Sequence, residues 1–147
     1  MSSTEIRVNE VNILLVEDDE VDVKAFKRAM RELKVANPVL RASDGIEALE
    51  MLRGQNGHDS VGRPYLIMLD LNMPRMGGLE FLAELRGDPD LQRSLVFVMT
   101  TSAAEEDRFR AYDQHVAGYM LKRNAATSFI DALNMLEHYW RVVEFPD

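Results

Sequence analysis

The feature that most constrains this chain is a fivefold alternation of short apolar runs with longer stretches of helical spacing. The short runs lie at 11–16 (VNILLV), 39–42 (VLRA), 65–69 (YLIML), 95–99 (LVFVM) and 118–121 (GYML). The run at 65–69 is apolar throughout, as a strand buried on both faces reads. Between the runs, apolar residues recur every three or four positions: Val23, Phe26, Met30 and Leu33; Ile46, Leu49 and Leu52; Leu79, Leu82 and Leu85; Phe109, Tyr112 and Val116; Phe129, Ile130, Leu133, Leu136 and Tyr139. That spacing predicts helices with one inward face. Strand and helix alternating in this way imply a doubly wound α/β fold, a five-stranded parallel sheet with right-handed crossovers. The expected strand order is 2-1-3-4-5, the flavodoxin-like arrangement.

At 147 residues the chain fits one domain, with a core from about 11 to 140, a polar lead-in at 1–10 and a tail at 141–147. Local signals punctuate it. Asn37-Pro38 is expected to stop the first helix. Asp44 with Glu47, and Ser102 with Glu105, read as capping boxes ahead of the second and fourth helices. Gly87-Asp88-Pro89 closes the third helix. The polar stretch at 54–63, with three glycines, is long for a connection and is expected to be the mobile segment.

The chemistry gathers where the apolar runs end. The exits read Glu17-Asp18, Asp70, Thr100 and Lys122. In open α/β sheets ligands bind at the carboxyl ends of the strands, where strand order reverses, so these groups are expected to converge. A carboxylate such as Asp70 at the exit of a buried strand costs about 3 kcal/mol or more to desolvate unless a charge or donor meets it. Converging carboxylates repel one another until a cation joins them. An all-oxygen donor set suits Mg²⁺, with Mn²⁺ or Ca²⁺ as alternatives. A lysine and a threonine hydroxyl across the same pocket complete a place for a phosphoryl group. Asp70 is then a metal ligand and a candidate nucleophile toward phosphorus.

Composition narrows the partners. A formal net charge of -8 argues against nucleic acid or an anionic membrane surface as the main ligand. The absence of cysteine excludes disulfides and thiolate metal sites. No apolar run reaches the length of a membrane span and the polar start lacks a signal-peptide core, so a cytoplasmic home is expected. No G-x-G-x-x-G or P-loop pattern supports nucleotide binding.

These residues resemble the receiver domain of two-component response regulators over nearly the whole chain. The resemblance is carried by Glu17-Asp18 after ILLV, Asp70 with Met73, Pro74, Met76 and Gly78, Thr100 after VFVM, and Tyr119 with Lys122 in GYMLK. It implies that Asp70 accepts a phosphoryl group from a phosphohistidine on a sensor histidine kinase. It further implies that Asp18 ligates Mg²⁺, with Glu17 acting mainly through water and Asn72 giving its backbone carbonyl. Thr100 and Lys122 would bind phosphoryl oxygens, and Tyr119 would become buried as Thr100 moves inward.

Two departures stand out. Arg123 follows Lys122 where receivers usually carry proline, so a trans peptide is expected there. Glu17 replaces the commoner aspartate. A finer likeness is to stand-alone regulators of bacterial phytochrome kinases, through Thr100-Thr101-Ser102, Ala111-Tyr112-Asp113, the missing proline, and Tyr139-Trp140 with Phe145-Pro146.

Other features have plainer readings. Asp19, Glu20 and Asp22 read as helix-start acids favoured by the dipole rather than ligands. His58, His115 and His138 have no metal-ligand spacing and read as surface or packing residues. The apolar tail suits either folding back on the domain or a homodimer contact through the last helix. The rival functions are a Mg²⁺-dependent phosphohydrolase working through an aspartyl phosphate, and a phosphorelay intermediate. Asn72, two residues after Asp70, counts against the hydrolase, because such enzymes place an acid there to protonate the leaving group.

Overall fold

The computed structural model of the chain describes residues 11–123 and 125–145. The expected lead-in at 1–10, and Pro146 with Asp147 of the expected tail, lie outside the described residues. Five strands alternate with five helices: β1 (Asn12–Val16), α1 (Glu20–Glu32), β2 (Val39–Ala42), α2 (Gly45–Arg53), β3 (Tyr65–Leu69), α3 (Gly78–Gly87), β4 (Leu95–Thr100), α4 (Glu105–Asp113), β5 (Gly118–Leu121) and α5 (Ala125–Val142). All pairings are parallel, in the order β2-β1-β3-β4-β5. The doubly wound, flavodoxin-like expectation therefore holds, down to strand order.

The sheet separates two cores because successive side chains of a strand point to opposite faces. Leu14, Val16, Ile67, Leu69, Val96 and Val98 join α2, α3 and α4 on one face. Ile13, Leu15, Leu66, Met68, Phe97 and Met99 join α1 and α5 on the other. Every residue of the central β3 is buried, whereas β5 at the edge is half-buried throughout. On the second face Phe26 and Phe129 meet edge to face at 5.5 Å, tying α1 to α5.

Several local expectations hold. Asp44 accepts from Glu47 N at 2.9 Å while the Glu47 carboxylate reaches back to Ser43 N at 2.7 Å, which caps α2 at both ends of the box. The Lys122–Arg123 peptide is trans; among the described residues the cis bond is Arg63–Pro64.

Others are corrected or sharpened. Helix α1 ends before Asn37-Pro38, because Lys34 turns into the left-handed region at φ 55 and its N–H and that of Leu33 fold back on the last carbonyls. Ser102 does not cap α4: Ala104 holds that position with no side-chain bond, and the Ser102 hydroxyl donates instead to Asp107 at 2.6 Å. Phe109 and Tyr112, expected to face inward, are exposed, and Ala111 is the buried residue of α4. The loop at 54–63 is anchored near its end, with Val61 in the first core and the Gly62 carbonyl accepting from Asn12 Nδ2 at 2.7 Å. In the tail Trp140 is buried in the second core and Phe145 packs edge to face on Tyr139, so both belong to the chain's own fold. Val142 remains exposed.

One glycine matters to the site. A Cβ on Gly78 would lie 2.6 Å from the Asp70 carbonyl oxygen and 2.7 Å from Leu71 Cα, both backbone atoms that cannot yield cheaply. Gly87, at the other end of the same helix, has nothing within 4 Å of its Cβ position. The same substitution should therefore have opposite signs. Gly78→Ala should cost about 1–3 kcal/mol through overpacking. Gly87→Ala should be neutral or stabilising by up to ~1 kcal/mol through loss of unfolded-state entropy. Urea denaturation of the two variants checks this; equal effects would contradict it.

Candidate functional site

The parallel ladder continues one residue past the strands and thereby assembles the site. Asp70 N donates to Val16 O at 3.1 Å, Glu17 N to Ala42 O at 3.0 Å and Lys122 N to Thr100 O at 2.8 Å. Glu17, Asp70 and Lys122 are thus locked in register with their neighbours at the carboxyl edge of the sheet. Glu17, Asp70 and Thr100 are buried, and Asp18 and Asn72 are exposed. Carboxylate oxygens of Glu17, Asp18 and Asp70 all lie within 4.8 Å of one another.

Lys122 enters from β5 with its side chain only 5% exposed. Its ammonium donates to Glu17 Oε1 at 2.7 Å and to Asp22 Oδ2 at 2.7 Å, and stands 4.0 Å from Asp70 Oδ2. Asp70 Oδ1 is buried without a hydrogen-bond partner. Leaving a charged oxygen in that condition is costly, and a cation is what would satisfy it. The donor set is all oxygen, three carboxylates in reach of one point, which fits a hard divalent cation.

Electrostatics follow from crowding. Burial pushes the Glu17 carboxyl up from its ordinary 4.5 to about 7, with the nearby Asp70 charge adding to the shift and the Lys122 hydrogen bond opposing it. Burial pulls Lys122 down, yet its bonds to Asp22 and Glu17 and the Asp70 charge outweigh that, so the ammonium is held above its ordinary value.

Around this centre the loops are fixed by residues to which the sequence assigned no role. Arg41 of β2 donates to the carbonyls of Glu17 at 2.9 Å and Asp18 at 3.1 Å and pairs with Glu20 at 2.7 Å, which braces the turn into α1. Arg75, in the left-handed region at φ 63, pairs with Asp44 at 2.6 Å and so pins the loop that carries Asn72. Asp19 caps α1 by accepting from Val21 N, as a helix-start acid should. Asp22 is not merely such an acid, since it reaches Lys122. No periodicity signals a contact between residues 100 positions apart.

On the β4–β5 side a small network leaves the site. Ser102 N approaches Thr100 Oγ1 at 3.4 Å, and the half-buried Tyr119 hydroxyl donates to Ser102 O at 2.9 Å. With the Ser102–Asp107 bond, Thr100 is linked to the first turn of α4 and to the Tyr119 ring. Among the described residues the three histidines lie outside the carboxylate cluster.

The Glu17 shift gives metal-free stability a pH dependence. A carboxyl whose folded pKa is raised adds stability that is complete below its unfolded value near 4.5 and is lost as pH climbs through about 7. In chelator, the thermal midpoint should therefore fall between pH 5 and 8, reflecting ~1–3 kcal/mol. Glu17→Gln should flatten that slope and melt higher than the parent at pH 8. Melting curves across this range check it, and a flat parental profile would contradict the account.

Comparison with known proteins agrees with this geometry. The Response regulator receiver domain family matches residues 13–134. Response regulator Rcp1 from Synechocystis sp. is 34% identical over 128 residues, covering 87% of this chain and 87% of that protein. Among solved structures, the phosphorylated cyanobacterial phytochrome response regulator RcpA superposes with a TM-score of 0.84 at 35% identity, covering 94% of this chain and 99% of that one. The Mn²⁺-bound form of Rcp1 superposes with a TM-score of 0.82 at 34% identity, covering 93% and 99%. With its strand order, its carboxylate cluster and the lysine beside it, the chain belongs to the response regulator receiver domain family of two-component signalling.

Proposed function

We propose that this chain is a single-domain response regulator that accepts a phosphoryl group on Asp70 and signals through changed protein contacts. The observation that carries this reading is the buried, unpartnered Asp70 Oδ1, set among Glu17 and Asp18 with Lys122 on its other side. The donor is a phosphohistidine of a sensor histidine kinase. An Asp70 oxygen attacks phosphorus, the phosphorus–nitrogen bond breaks, and the imidazole nitrogen leaves with its electron pair.

Glu17, Asp18, Asp70 and the backbone carbonyl of Asn72 would hold Mg²⁺. When bound, the ion supplies charge neutralisation for carboxylates and phosphoryl oxygens alike. Thr100 donates its hydroxyl and Lys122 its ammonium to the phosphoryl oxygens. As Thr100 turns toward the phosphoryl group its contact with Ser102 N is given up, and the linked Tyr119 and Asp107 register the change.

The chain works as one receiver unit with a core from about 11 to 140, in the cytoplasm. Among the described residues no helix is long and apolar enough to cross a membrane. The likeness to RcpA, a cyanobacterial phytochrome response regulator, supports a bacteriophytochrome as the kinase. A homodimer through the last helix has less to draw on than the sequence offered, since Trp140 and Phe145 are buried or stacked within the chain. Turnover as a phosphohydrolase is disfavoured by the exposed Asn72, which supplies no acid.

Incubation with Mg²⁺ and acetyl phosphate, followed by intact mass measurement, tests the reading. One phosphoryl group should add to the parent chain, be lost slowly, and be absent in Asp70→Asn, at least a hundredfold below the parent. No adduct under conditions where Mn²⁺ demonstrably binds would overturn the proposal. Rapid turnover of varied phosphate esters would favour the hydrolase, and onward transfer to a second histidine would identify a relay intermediate.

A further inference from the structure

The cation of the site does not point at the acceptor. An ammonium has three N–H donors, and two of those on Lys122 are committed at 2.7 Å, one to Glu17 Oε1 and one to Asp22 Oδ2. Asp70 Oδ2, at 4.0 Å, lies beyond hydrogen-bond length. Asp22 belongs to the first turn of α1, an element other than the strands that carry Lys122 and Asp70. Its reach toward Lys122 is not needed to start that helix: Asp19 already caps it, and Glu20 is already paired with Arg41. Nor is Asp22 one of the clustered carboxylates, which are Glu17, Asp18 and Asp70. Its side chain is largely sheltered from solvent, so the contact with Lys122 is only weakly screened.

Resting on the phosphoacceptor reading above, we propose that Asp22 is a positioning residue that competes with Asp70, and later with the phosphoryl group, for the Lys122 ammonium. In the resting protein Asp22 parks the lysine on α1. That keeps the ammonium off Asp70, although it still touches Glu17, and leaves the Asp70 oxygens open to a divalent cation. Once Asp70 is phosphorylated, the phosphoryl oxygens must draw Lys122 off Asp22, so the lost contact weighs against the phosphorylated state. It also leaves Asp22 without its partner at the start of α1, so that the first helix registers the event independently of Thr100 and Tyr119.

The competition predicts effects of opposite sign, which a merely structural role would not produce. Two probes suffice: Mn²⁺ alone, followed by its electron paramagnetic resonance signal, and beryllofluoride in saturating Mg²⁺ as an inert stand-in for the phosphoryl group. Asp22→Asn should weaken Mn²⁺ binding about three- to tenfold and tighten beryllofluoride binding by about the same factor. Asp22→Glu, which can still reach the ammonium, should stay within about twofold of the parent for both. In a Lys122→Met background Asp22→Asn should change Mn²⁺ affinity by less than about twofold, because the coupling runs through the lysine. Weakening of both ligands, no change in either, or a metal effect that persists without the lysine overturns the proposal. Should Asp22→Asn not fold, Asp22→Ser, too short to reach Lys122, must give the same two signs. A parent chain that binds neither probe refutes the phosphoacceptor reading itself. Normal parental binding with an unaltered Asp22→Asn refutes only the role of Asp22.

Discussion

One ammonium among four carboxylates is the interaction on which the rest of this site depends. Lys122 is the cation seated between Glu17, Asp22 and Asp70, with Asp18 beside them at the rim. Bringing these acids together at a sheet edge would be prohibitive without it, since each buried charge costs several kcal/mol, on the order of 3 or more, when unmatched. A single positive charge does not balance them. The remainder appears as a Glu17 carboxyl pushed up to about 7 and as an oxygen of Asp70 with nothing to bond. The site holds together, yet stays short of positive charge, and that shortfall is what makes it fit a hard cation.

The sheet divides the work between its centre and its edge. Asp70 follows β3, whose residues are buried on both faces, and Glu17 follows β1, nearly as well enclosed. Tyr119 belongs to β5 and Lys122 follows it, and that strand has one neighbouring strand and only half-buried residues. The buried carboxylates therefore stand on the most enclosed part of the fold. Tyr119 and Lys122 stand at the edge of the sheet, where a change of position disturbs less packing. The Thr100–Ser102–Tyr119 links run between these two regions.

Much of this was legible in the sequence because it depends on local order. Continuous apolar runs gave strands, three- and four-residue spacing gave helices, and the strand-exit rule brought Glu17, Asp18, Asp70, Thr100 and Lys122 to one edge. Failures arose where a side chain took a partner or a direction that residue spacing does not specify. Ser102 sits three residues ahead of Glu105, as a cap would, but its hydroxyl is taken by Asp107 and the chain stays extended to Ala104. Phe109 and Tyr112 keep helical spacing while α4 is held to the sheet by small Ala111, which turns the aromatics outward. Asp22 looked like any acid at a helix start, and the lysine that claims it comes from the far end of the sequence. Trp140 was ambiguous for a similar reason: an apolar tail reads alike whether it covers its own core or another molecule.

The Asp44–Arg75 pair has a consequence for the loop after β3. Asp44 uses one carboxylate oxygen to cap α2 and the other to hold Arg75, while Gly45 N–H donates to Met76 O in the same loop. The segment carrying Asn72 is thus fastened to the cap of a neighbouring helix by two bonds. It cannot shift without loosening the first turn of α2, so the loop inherits the rigidity of a helix it does not belong to. The position of the Asn72 backbone is thus set by a turn on the other side of β1, and a polar change in that turn would be felt at a distance in the loop after β3.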